Sequence, residues 1–219
     1  MNIIGAGLAG SEAALQLAQR GVHVRLFEMR PETETDVHRG GDCAELVCSN
    51  SLKSTKPESA AGMLKAELAA LGSQLIAAAG RSRVDAGGAL AVDRDEFSAD
   101  VTSMVKENPY IEYRVMCVSD PLDASLGAAD ATILATGPLT SDALAQWLVD
   151  KTGSDNLAFF DAAAPVVMAD SLDMDVLFRQ SRYEQDAPGD YLNAPFDKES
   201  YDAFIAELVA ADRVIKRDF

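Results

Sequence analysis

The sequence predicts a mixed α/β fold organised around a parallel sheet, followed by part of a second, α+β domain. Three features predict it. An apolar start through Ile4 runs into a glycine turn, then an Ala/Leu-rich stretch of helical period, then the alternating segment Val22-His23-Val24-Arg25-Leu26-Phe27-Glu28. Strand, helix and strand follow without interruption, and a crossover of that kind pairs its strands in parallel. A further apolar run, residues 130–135, leads to a glycine as a returning strand would. Beyond Thr140 the texture turns acidic and aromatic-bearing, which divides the chain into a first domain over 1–142 and the truncated start of an insertion or substrate domain over 143–219.

The remaining elements follow in order. A helix is expected over 11–20, closed by Gly21, and a strand over 22–28. Residues 31–60, rich in Thr, Asp, Ser and Gly, are expected to form a long loop, and loops of that length are usually functional. Over 61–79 a helix is expected to pack Met63, Leu64, Leu68, Leu71 and Leu75 into the core, with Gly72 as its weak point. A glycine-rich piece at 86–89 precedes a helix over 94–106. Strands are expected over 110–118, with Cys117 as a buried apolar filler, and over 130–135 as a buried strand. A helix over 142–150 ends at a Gly/Ser/Asp break.

Composition narrows the function classes. At 219 residues and 48% hydrophobic content, the chain suffices for one large domain or one domain plus part of another. It shows no secretory leader and no apolar run long enough to span a bilayer, so no membrane partner is expected and the cytoplasmic compartment is. Cys43, Cys48 and Cys117 are odd in number and lack paired ligand spacing, so reduced thiols are expected, with neither a disulfide framework nor a metal site. The net charge of −16 works against a nucleic-acid partner, since phosphate binding draws on Lys and Arg, although a local basic patch is compatible with an acidic total.

Gly5-Ala6-Gly7-Leu8-Ala9-Gly10 matches the dinucleotide fingerprint in its proper setting, between a strand and a helix, with Glu28 closing the next strand. Gly5 permits the tight turn, Gly7 admits a pyrophosphate close to the backbone, and Gly10 lets helix and strand pack together. The helix N-terminus offers amide donors and a positive dipole end to phosphates, while Glu28 accepts hydrogen bonds from ribose hydroxyls. The fingerprint alone leaves NAD and FAD open. Thr132-Ile133-Leu134-Ala135-Thr136-Gly137 favours FAD, because an apolar strand ending in Ala-Thr-Gly resembles the second signature of two-dinucleotide-fold flavoproteins. The expected fold is therefore a Rossmann-like FAD-binding sheet. Its expected cofactor-binding residues are Gly5, Ala6, Gly7, Leu8, Ala9, Gly10, Glu28, Ala135, Thr136 and Gly137.

A dense run of small polar residues, Ala44-Glu45-Leu46-Val47-Cys48-Ser49-Asn50-Ser51-Leu52-Lys53-Ser54, surrounds one thiol. Further segments join it: Glu28-Met29-Arg30-Pro31, Gly87-Gly88-Ala89-Leu90-Ala91-Val92-Asp93-Arg94, Ala135-Thr136-Gly137-Pro138-Leu139-Thr140 and Phe160-Asp161-Ala162-Ala163-Ala164-Pro165. With the glycine turn, these make the chain resemble the folate- and FAD-dependent tRNA (uracil-5-)-methyltransferase family over nearly its whole length. The resemblance implies an enzyme that makes 5-methyluridine in the tRNA T-loop. It also implies 5,10-methylenetetrahydrofolate as carbon donor, reduced FAD as reductant and NAD(P)H as the source of its electrons. In that scheme a cysteine thiolate adds to uracil C6 and renders C5 nucleophilic, which suits a soft, partly exposed thiol. Cys48 matches the family's N-terminal cysteine beside the flavin and is the expected catalytic residue; general base, flavin protector and transient adduct partner remain open as its role. His23 is expected to be structural, His38 solvated, and Lys53 and Arg94 surface cations. Ser171-Leu172-Asp173-Met174-Asp175 and Ser181-Arg182-Tyr183 also match the family and are expected to pack.

Members of that family are roughly twice as long, as befits separate cofactor and substrate layers. Their second cysteine, given the uracil-attacking role, falls beyond Phe219. The expectation is an N-terminal half that is inactive alone. One alternative is an FAD-binding fragment or interaction module without catalysis. Another is the related flavin-dependent family that modifies the tRNA wobble uridine, against which Val47-Cys48-Ser49-Asn50-Ser51 argues.

Overall fold

The computed structural model describes residues 1–35, 37–153, 167–181 and 189–212. Strand β1 (Asn2–Ile4) is buried throughout and leads through the glycine turn into α1 (Leu8–Gln19). This helix begins at Leu8 rather than Ser11 and buries Gly10, Ser11, Ala14, Leu15 and Ala18 on one face. Strand β2 (Val24–Glu28) starts later than expected, because the amide of Val22 still bonds to the Leu17 carbonyl at the end of α1.

The expected loop over 31–60 contains a strand, β3 (Ser51–Ser54), in which Lys53 takes a φ of 67°. The helix expected over 61–79 is two, α2 (Ala60–Ala70) and α3 (Gln74–Arg81). Gly72 breaks it with a φ of 78°, and Ser73 caps the second piece through the amide of Ile76. The break turns α2 off the core, so Met63, Leu64 and Leu71 are exposed and only Leu75 of the expected apolar stripe is fully buried. Two short strands follow, β4 (Arg83–Val84) and β5 (Ala89–Val92), and an antiparallel sheet orders its strands β3-β5-β4. Helix α4 (Arg94–Lys106) keeps its expected bounds because the Asp93 carboxylate accepts from the amides of Asp95 and Glu96.

β6 (Ile111–Val115) and β7 (Thr132–Leu134) complete a parallel sheet of order β6-β2-β1-β7. Register is fixed by Ile3 opposite Leu26 and Ile133, and by Ile4 opposite Phe27 and Leu134. Alternation along the strands sends Ile3 and Leu26 to one face, where α1, α3 and α4 contribute Leu15, Leu75, Phe97 and Val101. Ile4 and Phe27 point to the other, beside Val118, Leu126 and Leu144. A sheet covered on both faces explains strands that read as continuous apolar runs. β7 is the exception to its expected burial: at the sheet edge, Leu134 is exposed and Ile133 half-buried. Helix α5 (Asp142–Thr152), beyond residue 142, buries Leu144 and Ala145 with this first unit, and Gly153 ends it in the left-handed conformation.

The second unit comprises residues 85–88 and, among those described, 167–181 and 189–212. It contains the two-residue strands β8 (Phe178–Arg179) and β9 (Leu192–Asn193), paired antiparallel, and α6 (Lys198–Ala210), capped by Asp197. The Tyr191 hydroxyl donates to the Ala86 carbonyl at 2.9 Å, and the Asp190 carboxylate accepts from the amide of Gly87. Ser171, Asp173, Met174 and Asp175 do not pack as expected but are exposed, as are the large apolar side chains around them, among them Met168, Val176 and Phe178. Ser181 is buried; Arg182, Tyr183 and the segment 160–165 lie outside the described residues. Among the described residues no helix is long and apolar enough to cross a membrane, and no group of three His, Cys, Asp or Glu side chains is placed to hold a metal.

Candidate nucleotide-binding cleft

All four parallel strands deliver their C-terminal ends to one cleft. The chain steps outward from β1 through β2 to β6, then returns on the other side of β1 as β7. That reversal opens a crevice at the strand ends, where open α/β sheets bind ligands. Ile4, Gly5 and Gly7 line it after β1, Glu28, Met29 and Arg30 after β2, Met116, Cys117 and Val118 after β6, and Ala135, Thr136 and Thr140 after β7. Backbone bonds fasten the rim: Gly5 N–H to Phe27, Ala135 N–H to Ile4 and Met116 N–H to Glu28, each 2.8 Å.

The three fingerprint glycines differ in what surrounds them. A Cβ on Gly5, whose φ is 98°, would lie 2.5 Å from the Ala135 carbonyl oxygen, and one on Gly10 would lie 1.8 Å from the Gly5 oxygen. Both are closed against protein. A Cβ on Gly7 meets nothing within 4 Å. Packing within the described residues does not require that glycine. Among the described residues no side chain caps the first turn of α1, no acidic residue occupies it, and Leu8 and Ala9 are exposed, which leaves its amides without a side-chain partner.

Glu28 closes the cleft on the β2 side. Its Oε2 accepts from the amide of Ala6 at 2.8 Å, and its Oε1 from the backbone N–H and Nε of Arg30 at 3.1 and 3.0 Å. Each carboxylate oxygen has two lone pairs, so Oε2 retains one for a hydroxyl. Burial would raise the carboxyl's pKa, but the hydrogen bond and charge of Arg30, with the amides of Ala6 and Arg30, outweigh it and hold the group below its ordinary value. It is ionised at neutral pH. His38, also on the cleft wall, is half-buried and bonded to the Thr35 hydroxyl at 2.7 Å rather than solvated. Burial and then the Arg30 charge lower its pKa, which keeps the ring neutral at pH 7.

The expected cofactor set thus gathers at one place: Gly5, Gly7, Glu28, Ala135 and Thr136 face the cleft, Ala6 and Gly10 are buried behind it, and Gly137 follows at the rim with a φ of 65°. Cys48 does not line the cleft. It is exposed in the turn before β3, and its segment is tied down on both sides. The half-buried Arg94 donates to the Leu46 carbonyl, and Asn50 Nδ2 to the Val92 carbonyl at 3.2 Å. Cys43 is buried, and burial pushes its thiol up to about 11. Cys117 is not the expected filler: β6 stops at Val115, and Cys117 is exposed on the cleft wall. His23 precedes β2 and lies exposed, 5.0 Å from the Tyr110 ring. Sequence reasoning gave no site role to Arg30, His38 or the 116–118 wall; Arg30 entered only as part of the Glu28-Met29-Arg30-Pro31 segment of the resemblance, and His38 as a solvated residue.

Comparison with known proteins gives a consistent neighbourhood. The family model described as Glucose inhibited division protein A matches residues 1–219. The methylenetetrahydrofolate--tRNA-(uracil-5-)-methyltransferase TrmFO of Bacillus licheniformis is 50% identical over all of this chain and 49% of its own length. Its namesake from Bacillus subtilis is 49% identical over the same shares, and that from Lactobacillus acidophilus 49% identical over 97% of this chain and 47% of its own. The chain therefore spans about half the length of these curated relatives. A solved structure, GidA of Aquifex aeolicus in its form II crystal, has a TM-score of 0.49 at 18% identity, covering 63% of this chain and 24% of that one. At that level it bears on neither fold nor function.

Proposed function

The chain belongs to the family described as Glucose inhibited division protein A, and from that membership we propose that it is the cofactor-holding portion of a folate- and FAD-dependent tRNA (uracil-5-)-methyltransferase. The observation that carries this is 50% identity, along all 219 residues, to an enzyme so named. The open space at Gly7, the first-turn amides of α1 and the spare lone pair of Glu28 fit the pyrophosphate and ribose of a dinucleotide, and the Ala135-Thr136-Gly137 end of β7 beside Gly5 favours FAD over NAD. Bound there, FAD supplies the reducing equivalents that complete a methyl group drawn from 5,10-methylenetetrahydrofolate, with NAD(P)H as their source.

The chain's own residues prepare that chemistry. Gly5 and Gly10 keep the turn closed, the amides of α1 neutralise the pyrophosphate, and Glu28 accepts a ribose hydroxyl on Oε2. Ala135, Thr136 and Gly137 keep the wall at β7 small. Cys48 presents an exposed thiol, as a base, a flavin-protecting group or a transient adduct partner requires. The substrate in this account is the T-loop uridine of tRNA and the compartment the cytoplasm.

The test is the flavin absorbance of the purified chain, paired with an assay of 5,10-methylenetetrahydrofolate-dependent methylation of unmodified tRNA. Bound flavin without methyl transfer by the chain alone is the expected result. A chain that takes up no flavin overturns the cofactor assignment, and transfer by the chain itself overturns its description as a portion of the enzyme.

A further inference from the structure

Arg30 is deeply buried, its side chain 4% exposed, yet it has no part in the chemistry above. Nε donates to Oε1 of Glu28 at 3.0 Å, Nη1 to Oε2 of Glu45 at 2.9 Å and Nη2 to the Asp42 carbonyl at 3.1 Å. Glu45 accepts in turn from the amides of Arg39 at 2.7 Å and Gly40 at 3.3 Å. Cys48 follows three residues later. Ala44, held at a φ of 54°, donates its amide to the Ala6 carbonyl at 2.8 Å, which joins the same segment to the glycine turn. A guanidinium shared by two nearly buried carboxylates is expensive to dehydrate and fails badly when one partner is lost, so its contribution is fixed geometry more than stability.

We infer that Arg30 is a positioning residue that joins Glu28, the loop over 39–45 and the approach to Cys48 into one unit, so that a ribose seated on Glu28 stiffens the segment leading to Cys48. The inference rests on the cleft being an adenine-dinucleotide site. Without the Arg30 side chain the Glu28 carboxylate keeps the backbone amides of Ala6 and of residue 30 but loses the guanidinium that fixes the plane of the carboxylate, and the loop loses both a carboxylate and a carbonyl anchor.

ADP carries the adenosine ribose and the pyrophosphate without the flavin, and 2′-deoxy-ADP lacks one ribose hydroxyl. Both are titrated calorimetrically into the 219-residue chain, with amide hydrogen exchange followed over residues 38–48. The wild type is expected to prefer ADP by about tenfold, the worth of a hydrogen bond to a charged group, and to slow its exchange when ADP binds. Arg30→Met is expected to weaken the ribose preference severalfold and to remove the slowed exchange, and Arg30→Lys, a point charge in place of a fork, to restore part of each. Glu45→Gln leaves the Glu28 contact intact and is expected to keep the ribose preference while losing the slowed exchange, which decides the matter should Arg30→Met fail to fold. Wild-type behaviour in both Arg30→Lys and Glu45→Gln overturns the role of Arg30. Failure of ADP to bind the wild type overturns the assignment of the cleft, and the inference with it.

Discussion

The carboxylate of Glu28, at the end of β2, accepts the amide of Ala6 at 2.8 Å and so ties the edge of the cleft to the middle of the glycine turn. Its depressed pKa makes this tie pH-dependent. A group whose folded pKa lies below its unfolded value contributes stability that is fully present above the unfolded pKa and lost as pH falls through the folded one. Glu28→Gln is therefore expected to cost about 2 kcal/mol at neutral pH, with the difference from wild type shrinking as pH falls through and below the ordinary carboxylate range. Urea unfolding of both proteins at neutral and acid pH reads this out; a difference that stays constant contradicts it.

Gly10 and Gly5 are closed by backbone, so Gly10→Ala and Gly5→Ala are each expected to destabilise by more than about 3 kcal/mol, since the obstructing atoms cannot move aside as side-chain ends do. Thermal unfolding of the two variants, neither requiring a ligand, is the check.

The three thiols should separate by burial and place. At pH 8 iodoacetamide is expected to label Cys48 and Cys117 and to spare Cys43, buried with a thiol pKa of about 11. Saturating FAD should slow labelling of Cys117, on the cleft wall, more than that of Cys48. Peptide mass mapping with and without FAD would expose an error in the position of the cleft if Cys117 gained no protection.

Glu12 on α1 caps α3. Its carboxylate accepts from the Ser73 hydroxyl at 2.9 Å and the amides of Gln74 and Leu75 at 3.1 and 2.9 Å. Glu12→Ala is expected to cost about 1–2 kcal/mol, the range for losing a helix N-cap, while leaving FAD affinity unchanged. Chemical denaturation and a flavin titration of the same variant measure the two halves of this statement.

The parts of the fold that could be read in the sequence are those whose signal is local. The β1-α1-β2 unit announces itself through apolar strands, three spaced glycines and Glu28, and it stands in the expected order, with α1 starting three residues earlier and β2 two residues later than expected. β3 and β5 do not, because Ser51-Leu52-Lys53-Ser54 is polar and its partner strand adjoins a glycine-rich piece; pairing across some forty residues decides them. The helix over 61–79 carried a weak point at Gly72, but a glycine within a helical pattern does not by itself fix a break; the positive φ of Gly72 and the Ser73 cap make it one. In the cleft, the glycines and Glu28 were legible from spacing. Arg30 was not, since its meaning lies in Glu45, which comes from a loop whose conformation the sequence left open.

The most direct measurement is an FAD titration of the wild-type chain and of Gly7→Ala. The open space around Gly7 predicts an unchanged unfolding midpoint for the variant, with FAD affinity reduced by about tenfold or more as the added methyl occupies the approach to the pyrophosphate. Equal FAD affinity in the two proteins, or no binding by the wild type, would contradict the assignment of this cleft as the cofactor site.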